Sequence, residues 1–131
     1  MINIDTIGTF NATKAVYEIG MKGRPGVIIN ITARISDGLY LQTHSGSAKA
    51  AVESMTKHLA VELGPQNIRV VAIAPGPIEG TEGTDRLGGK DPNDRDAFAG
   101  WIPMQRYGQK EDINTAAVFL ASDAASYITG T

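Results

Sequence analysis

Asp5 and Lys49 are of the residue types that carry acid–base and charge-stabilising chemistry. A lysine ammonium stabilises negative charge developing on a substrate oxygen, and a carboxylate orients a lysine or a water for proton transfer. Each residue also has a plainer reading. Lys49, Glu53 and Lys57 follow the i,i+4 spacing of an exposed ion-pair face, and periodicity alone favours that reading. Asp5 sits near a helix start, where an acid stabilises the helix dipole. Ser45 and Ser47 lie close to Lys49 on one helix, as a Ser-Lys hydrolase requires, but no nucleophile elbow or oxyanion motif accompanies them. Tyr40 is a candidate displaced acid, although a loop tyrosine more simply packs its ring. His44 and His58 lack metal-ligand company and read as surface residues. Gly20, Gly23 and Gly26 mimic a nucleotide fingerprint, yet they precede a strand instead of opening a helix.

The elements that must position these residues follow from hydrophobic spacing. Ile4, Ile7, Val16 and Ile19, with Phe10, Ala12 and Ala15 between them, predict an amphipathic helix over residues 2 to 20. A Gly- and Pro-rich break leads to Val27–Ile31, a β-branched strand of the kind buried in parallel sheets. After a polar loop from Thr32 to Thr43, the stripe Ala48, Ala51, Val52, Met55, Leu59 and Leu63 predicts a second helix, stopped by Gly64-Pro65. A second strand, Ile68 to Ala74, ends in Pro75-Gly76-Pro77, which supplies too few ladder donors to continue. From Ile78 to about Lys110 no clean period appears, and so long a loop reads as a functional lid. A short helix over Glu111 to Ala121 follows. This order describes a βαβ crossover in an α/β, doubly wound parallel sheet. Ligands in such sheets sit beyond the carboxyl ends of the strands, so Thr32 and the stretch Pro75 to Thr81 border one crevice, into which Lys49 can point.

Bulk properties narrow the function classes. The 131 residues suit one domain, and a formal net charge of −2 with interspersed signs provides no footprint for nucleic acid or an anionic membrane. Cysteine is absent, which excludes disulfides and thiolate metal sites. The longest apolar runs are too short to span a bilayer, and Met1 opens no signal-peptide pattern.

The segments Ile4-Asp5-Thr6-Ile7-Gly8-Thr9-Phe10-Asn11, Ile29-Asn30-Ile31-Thr32-Ala33, His44-Ser45-Gly46-Ser47-Ala48-Lys49 and Asn67-Ile68-Arg69-Val70, followed by Pro75-Gly76-Pro77-Ile78, resemble consecutive landmarks of the short-chain dehydrogenase/reductase family. The stretches Leu59 to Val70 and Ala74 to Gly83 are most similar to its peroxisomal dienoyl-CoA reductase subgroup. Departures from the wider family are informative. Ser45 stands where the family usually has a tyrosine acid, Asp5 where it has a helix asparagine, and Thr32 where it has a serine. The subgroup resemblance implies that Asp5 and Lys49 are the working pair, with ordered water supplying the proton. It further implies NADPH as cofactor, held by Lys49 and by Pro75, Gly76, Pro77, Ile78, Glu79, Gly80 and Thr81. Arg86 then faces an acyl-CoA substrate, whose phosphates suit a guanidinium.

The implied reaction reduces a 2,4-dienoyl-CoA to a 3-enoyl-CoA in β-oxidation, in the peroxisome or otherwise the cytoplasm, in a homo-oligomeric full-length enzyme. Hydride delivery to a conjugated thioester creates a dienolate instead of an alkoxide, so a strong side-chain acid is dispensable. The resemblance also implies that the chain is the carboxy-terminal part of a single domain, without the family's glycine-rich cofactor loop. On that reading it is a fragment with two unpaired strand edges. The alternatives are a catalytically inactive remnant that associates with related subunits, or a short-chain alcohol or ketone reductase, which Ser45 disfavours.

Overall fold

The computed structural model describes residues 1–34, 38, 42–87 and 91–131; Tyr40 lies outside them. Helix forms from the first residues, as the spacing predicts, but in three stretches: a π-helical Ile2–Ile7, an α-helix α1 at Gly8–Val16, and a second π-helical Tyr17–Met21. The wide turn at its end is closed by Lys22 N–H donating to the Tyr17 carbonyl at 2.9 Å. Gly23 then takes a φ of 75°, a conformation that glycine alone enters without steric penalty. These glycines end a helix and begin a strand, as their order predicts.

β1 (Gly26–Ile31) and β2 (Ile68–Ile73) pair in parallel, Gly26 opposite Ile68 and Ile31 opposite Ile73. Parallel neighbours need a long crossover, which here contains α2 (Thr43–Leu63), whose Ala48, Val52, Thr56, Ala60 and Leu63 are buried at helical spacing. A 3-10 turn at Gly64–Gln66 and Asn67 at φ 60° lead the chain into β2. Ala60 and Leu63 pack on Ile68 and Val70, and Tyr17, Met21, Ile28 and Leu59 close around them.

The structure departs from the sequence reading in three places. First, the apolar stripe of the opening helix turns away from the core. Ile4 is 76% and Ile19 88% exposed, and Ile7, Phe10 and Val16 are exposed with them, whereas Thr13 is buried. The polar side faces inward because it has partners there: Thr6 Oγ1 donates to the Ala48 carbonyl at 3.2 Å and Tyr17 Oη to Gln66 Oε1 at 2.8 Å. Second, the apparently aperiodic stretch after β2 holds α3 (Glu82–Leu87) and α4 (Pro92–Ala99). Both are too short for an apolar period to register, and α4 is set instead by its N-cap, Asp91, which accepts from Asn93 N–H at 2.8 Å. α5 (Lys110–Ala121) follows behind a reciprocal cap between Gln109 and Asp112.

Third, the far edge of β2 is not open. Gly130 N–H donates to the Val70 carbonyl at 2.8 Å, Ala72 N–H to the Thr131 carbonyl at 2.7 Å, and Val70 N–H to Thr129 Oγ1 at 2.9 Å. Arg69 ties this segment down through the Ile128 and Ser122 carbonyls. Ile68, Val70 and Val71 are accordingly fully buried. Along β1, Ile31 is half exposed, and β2 is its only strand neighbour among the described residues.

Candidate functional site

The site grows from the parallel register. Ile31 and Ile73 are partners at the carboxyl ends of their strands, and just beyond them Thr32 N–H donates to the Ile73 carbonyl at 2.8 Å. The buried Thr32 hydroxyl turns to the same oxygen at 3.4 Å. The segments after β1 and β2 therefore leave the sheet side by side, where ligands of parallel sheets bind.

Lys49 crosses to that edge from α2. Its Nζ donates to the Ile31 carbonyl at 3.1 Å and lies 3.4 Å from Asp5 Oδ1 on the first π-helical stretch. Three separate elements thus converge on one ammonium. Lys49 reaches away from its own helix toward Asp5 and Ile31, unlike the Glu53-linked surface lysine that spacing alone favours. The two side chains retain 23% and 21% of their exposure, which leaves the pair reachable while weakening solvent screening. The Thr6 hydroxyl on the Ala48 carbonyl fastens the same two helices one residue along.

The loop after β2 is braced from within. Ile78 forms a parallel bridge with Gly108, in which Gly108 N–H donates to the Pro77 carbonyl at 3.0 Å and Glu79 N–H to the Gly108 carbonyl at 2.9 Å. A Cβ on Gly108 would stand 2.6 Å from Ile78 Cδ1, so the approach is close. The Ile78 carbonyl accepts from Thr81 Oγ1 at 2.9 Å and from Thr84 Oγ1 at 2.7 Å. The Glu79 backbone donor and the Thr81 hydroxyl, both expected to meet a cofactor, are thus engaged inside the loop. Thr84, buried beneath it, is a bracing residue that sequence reasoning missed; the T-x-x-T spacing Thr81 to Thr84 was its only signal. Pro75 and Pro77 are half-buried, Gly76 is exposed, and Gly80 turns the loop at φ 68°.

The Glu79 side chain joins the loop to α4 and α5. Gln109 Nε2 donates to Glu79 Oε2 at 2.7 Å, and Arg95 Nη2 lies 3.6 Å from Oε1. Arg95 also covers the Tyr107 ring, 5.5 Å from its centroid, and Phe98 stacks on Tyr107 at 6.1 Å. Arg86 stands apart on α3, exposed and paired with Glu82. At the start of α5, the Gln109 backbone N–H, with Arg106 beside it, holds the Asp112 carboxyl below its ordinary range. No group of three or more potential ligands gathers for a metal among the described residues, and no helix is long and apolar enough to cross a membrane among those residues.

Comparison with known proteins bears on the family and the fold. Residues 1–131 match the family model described as enoyl-(acyl carrier protein) reductase. A peroxisomal 2,4-dienoyl-CoA reductase of Pongo abelii, (3E)-enoyl-CoA-producing, is 52% identical over 131 residues, which are 99% of this chain and 44% of that protein. A short chain dehydrogenase from Bacillus anthracis is 40% identical in sequence and superposes with a TM-score of 0.82, over 99% of this chain and 49% of its own. An NADP-bound structure from Agrobacterium tumefaciens, assigned as a 2-deoxy-D-gluconate 3-dehydrogenase, is 38% identical with a TM-score of 0.85, over 98% and 52%. The expected partial, doubly wound parallel sheet is therefore what the chain forms, and it spans about half the length of the relatives it matches.

Proposed function

The chain belongs to the short-chain dehydrogenase/reductase family of oxidoreductases, and on that premise we propose that it is the carboxy-terminal, active-site part of a single domain reducing 2,4-dienoyl-CoA to 3-enoyl-CoA with NADPH. The observation that carries this reading is the Asp5–Lys49 pair, 3.4 Å apart at the mouth of the parallel sheet. Ser45 stands one helical turn before Lys49 in place of a phenol, which favours a substrate whose reduction forms no alkoxide. The name of the Pongo abelii relative supports the same substrate and a peroxisomal setting.

The residues present fit a nicotinamide nucleotide. A lysine ammonium has three N–H bonds; two are directed at Asp5 and Ile31, and the third serves a ribose hydroxyl or a substrate oxygen. The bridge to Gly108 turns the Ile78 N–H to the opposite side of the strand, a donor for the cofactor's amide. Nothing lies within 4 Å of where a Gly76 Cβ would stand, so a flat ring can approach the backbone there. Lys49 and the loop from Pro75 to Thr81, braced from within by the Glu79 N–H and the Thr81 hydroxyl, would hold the cofactor, which supplies the hydride when bound. NADP in the Agrobacterium tumefaciens relative supports the phosphorylated form.

Lys49 then stabilises the negative charge on the thioester oxygen. Asp5 holds the ammonium in place and orients water for protonation near the carbonyl. Arg86 offers its guanidinium to the phosphates of CoA. The test is NADPH oxidation by the protein with a 2,4-dienoyl-CoA and, separately, a 3-oxoacyl thioester. Oxidation with the dienoyl substrate alone is expected; equal or faster oxidation with the ketone would make this a carbonyl reductase.

A second reading, association with related subunits through the two long helices, draws on the exposed Ile4, Val16 and Ile19 of the first and Val61 of α2. It is compatible with the first reading, because a homo-oligomeric reductase would bury the same face.

A further inference from the structure

Asn30 is a polar residue inside an otherwise apolar strand, and the structure seats its side chain against α2. Its Nδ2 donates to Thr56 Oγ1 at 2.9 Å, and that hydroxyl donates onward to the Val52 carbonyl at 2.9 Å. Asn30 is 7% and Thr56 1% exposed. Burying these groups is unfavourable without hydrogen bonds, so an aliphatic pair would satisfy the core more simply. The polar pair fixes direction and distance where aliphatic side chains tolerate sliding.

What it fixes is the placement of α2 on β1. Among the described residues, the helix meets the strand through polar contacts of Thr56 with Asn30 and of Lys49 Nζ with the carbonyl of the next strand residue, Ile31. Thr56 and Lys49 are seven residues apart, two turns on one helix face. A shift of α2 along β1 would lengthen the Lys49–Ile31 contact, even where the first helix, fastened to α2 through Thr6 and Ala48, moves with it. Thr56 can keep its bond to Val52 without Asn30, so the helix survives loss of the key. We propose that Asn30 and Thr56 are positioning residues that set the reach of Lys49 to Ile31 at the end of β1. This rests on the reductase reading for its catalytic meaning, since placement affects turnover only where Lys49 works.

The test reads Lys49 directly, without turnover. Acetylation by an N-hydroxysuccinimide acetyl ester requires a detached, uncharged amine, and peptide mass spectrometry reports its rate against exposed Lys57 on the same helix. The intact chain is compared with Thr56→Ser, Thr56→Val and the double variant Asn30→Leu/Thr56→Val, each well below its Tm. Removing one buried partner should raise the Lys49-to-Lys57 ratio about tenfold in Thr56→Val, and Thr56→Ser should restore the parent ratio. The double variant leaves no unmatched polar group, so its Tm should recover while Lys49 stays fast. A core role alone predicts the same fall of Tm in Thr56→Val, but a ratio that stays at the parent value in every variant. That result would overturn the proposal, and should Thr56→Val fail to fold, the double variant decides alone. Because no reductase activity enters the measurement, an unchanged ratio in an active enzyme rejects only the positioning role, whereas a raised ratio with no dienoyl-CoA turnover rejects only the function.

Discussion

Asp5 Oδ1 and Lys49 Nζ stand 3.4 Å apart although separate helices carry them, and the same ammonium reaches back to the last carbonyl of β1. Lys49 is thereby bound to the carboxyl end of β1, with the Asp5 carboxylate as its countercharge.

Removing either member should act on the chemical step. In the assembled reductase, Lys49→Met is expected to lower kcat by about 10²- to 10³-fold, in the range seen when one charge-stabilising donor is removed. Asp5→Asn should lower it by about 10²-fold or more. Steady-state NADPH oxidation with a dienoyl-CoA checks both; rates within twofold of the parent would remove the pair from the mechanism.

Ser45→Ala separates reductase from hydrolase. The hydroxyl has no assigned part in dienoyl reduction, so turnover should stay within about threefold of the parent, whereas a Ser45 nucleophile would lose essentially all ester or amide hydrolysis. Parallel NADPH and thioester-hydrolysis assays distinguish the two.

Among the described residues, Arg86 makes an exposed i,i+4 pair with Glu82, worth about 0.3–0.5 kcal/mol. Arg86→Gln should therefore leave Tm nearly unchanged while raising the KM for the CoA thioester several-fold at constant kcat. An unchanged KM would return Arg86 to the solvated helix surface.

Asp112 links pH to the start of α5. Bonds from the Gln109 N–H and Arg106 keep its carboxyl below the ordinary value. The folded state therefore binds this proton less readily than the unfolded chain, and the stabilisation is present above the unfolded pKa and lost as pH falls through the folded one. Tm measured from about pH 5 downward should fall less steeply in Asp112→Asn than in the parent. Identical slopes would show that the cap contributes nothing.

Core and surface aliphatics should behave oppositely. Ile68 is fully buried and Ile19 88% exposed. Ile68→Ala is expected to lose about 2–5 kcal/mol in chemical denaturation. Ile19→Glu should leave stability almost unaltered while dissociating any assembly formed through the first helix, as analytical ultracentrifugation would register.

Much of this was legible because local physics writes it into spacing. β1, α2, β2 and α5 follow from β-branched runs, a helical stripe and terminating Gly and Pro residues, and their observed bounds differ from the expected ones by a few residues at most. The helices α3 and α4 were not legible, since a six- or eight-residue helix holds barely two turns of any period. Residues such as Asp5, Lys49 and Pro75 to Thr81 were nameable from sequence through their likeness to a family, but periodicity placed Lys49 on the surface.

The sequence by itself determined the order of elements, the parallel crossover and the side-chain types available for acid–base and charge-stabilising work. Only the tertiary structure decided which face of the first helix turns inward, that Lys49 reaches Asp5 and Ile31, and that Glu79, Thr81 and Thr84 brace the loop beyond β2. Periodicity reports how residues repeat along one element, whereas these outcomes depend on hydrogen bonds between elements, whose partners lie tens of residues away in the chain.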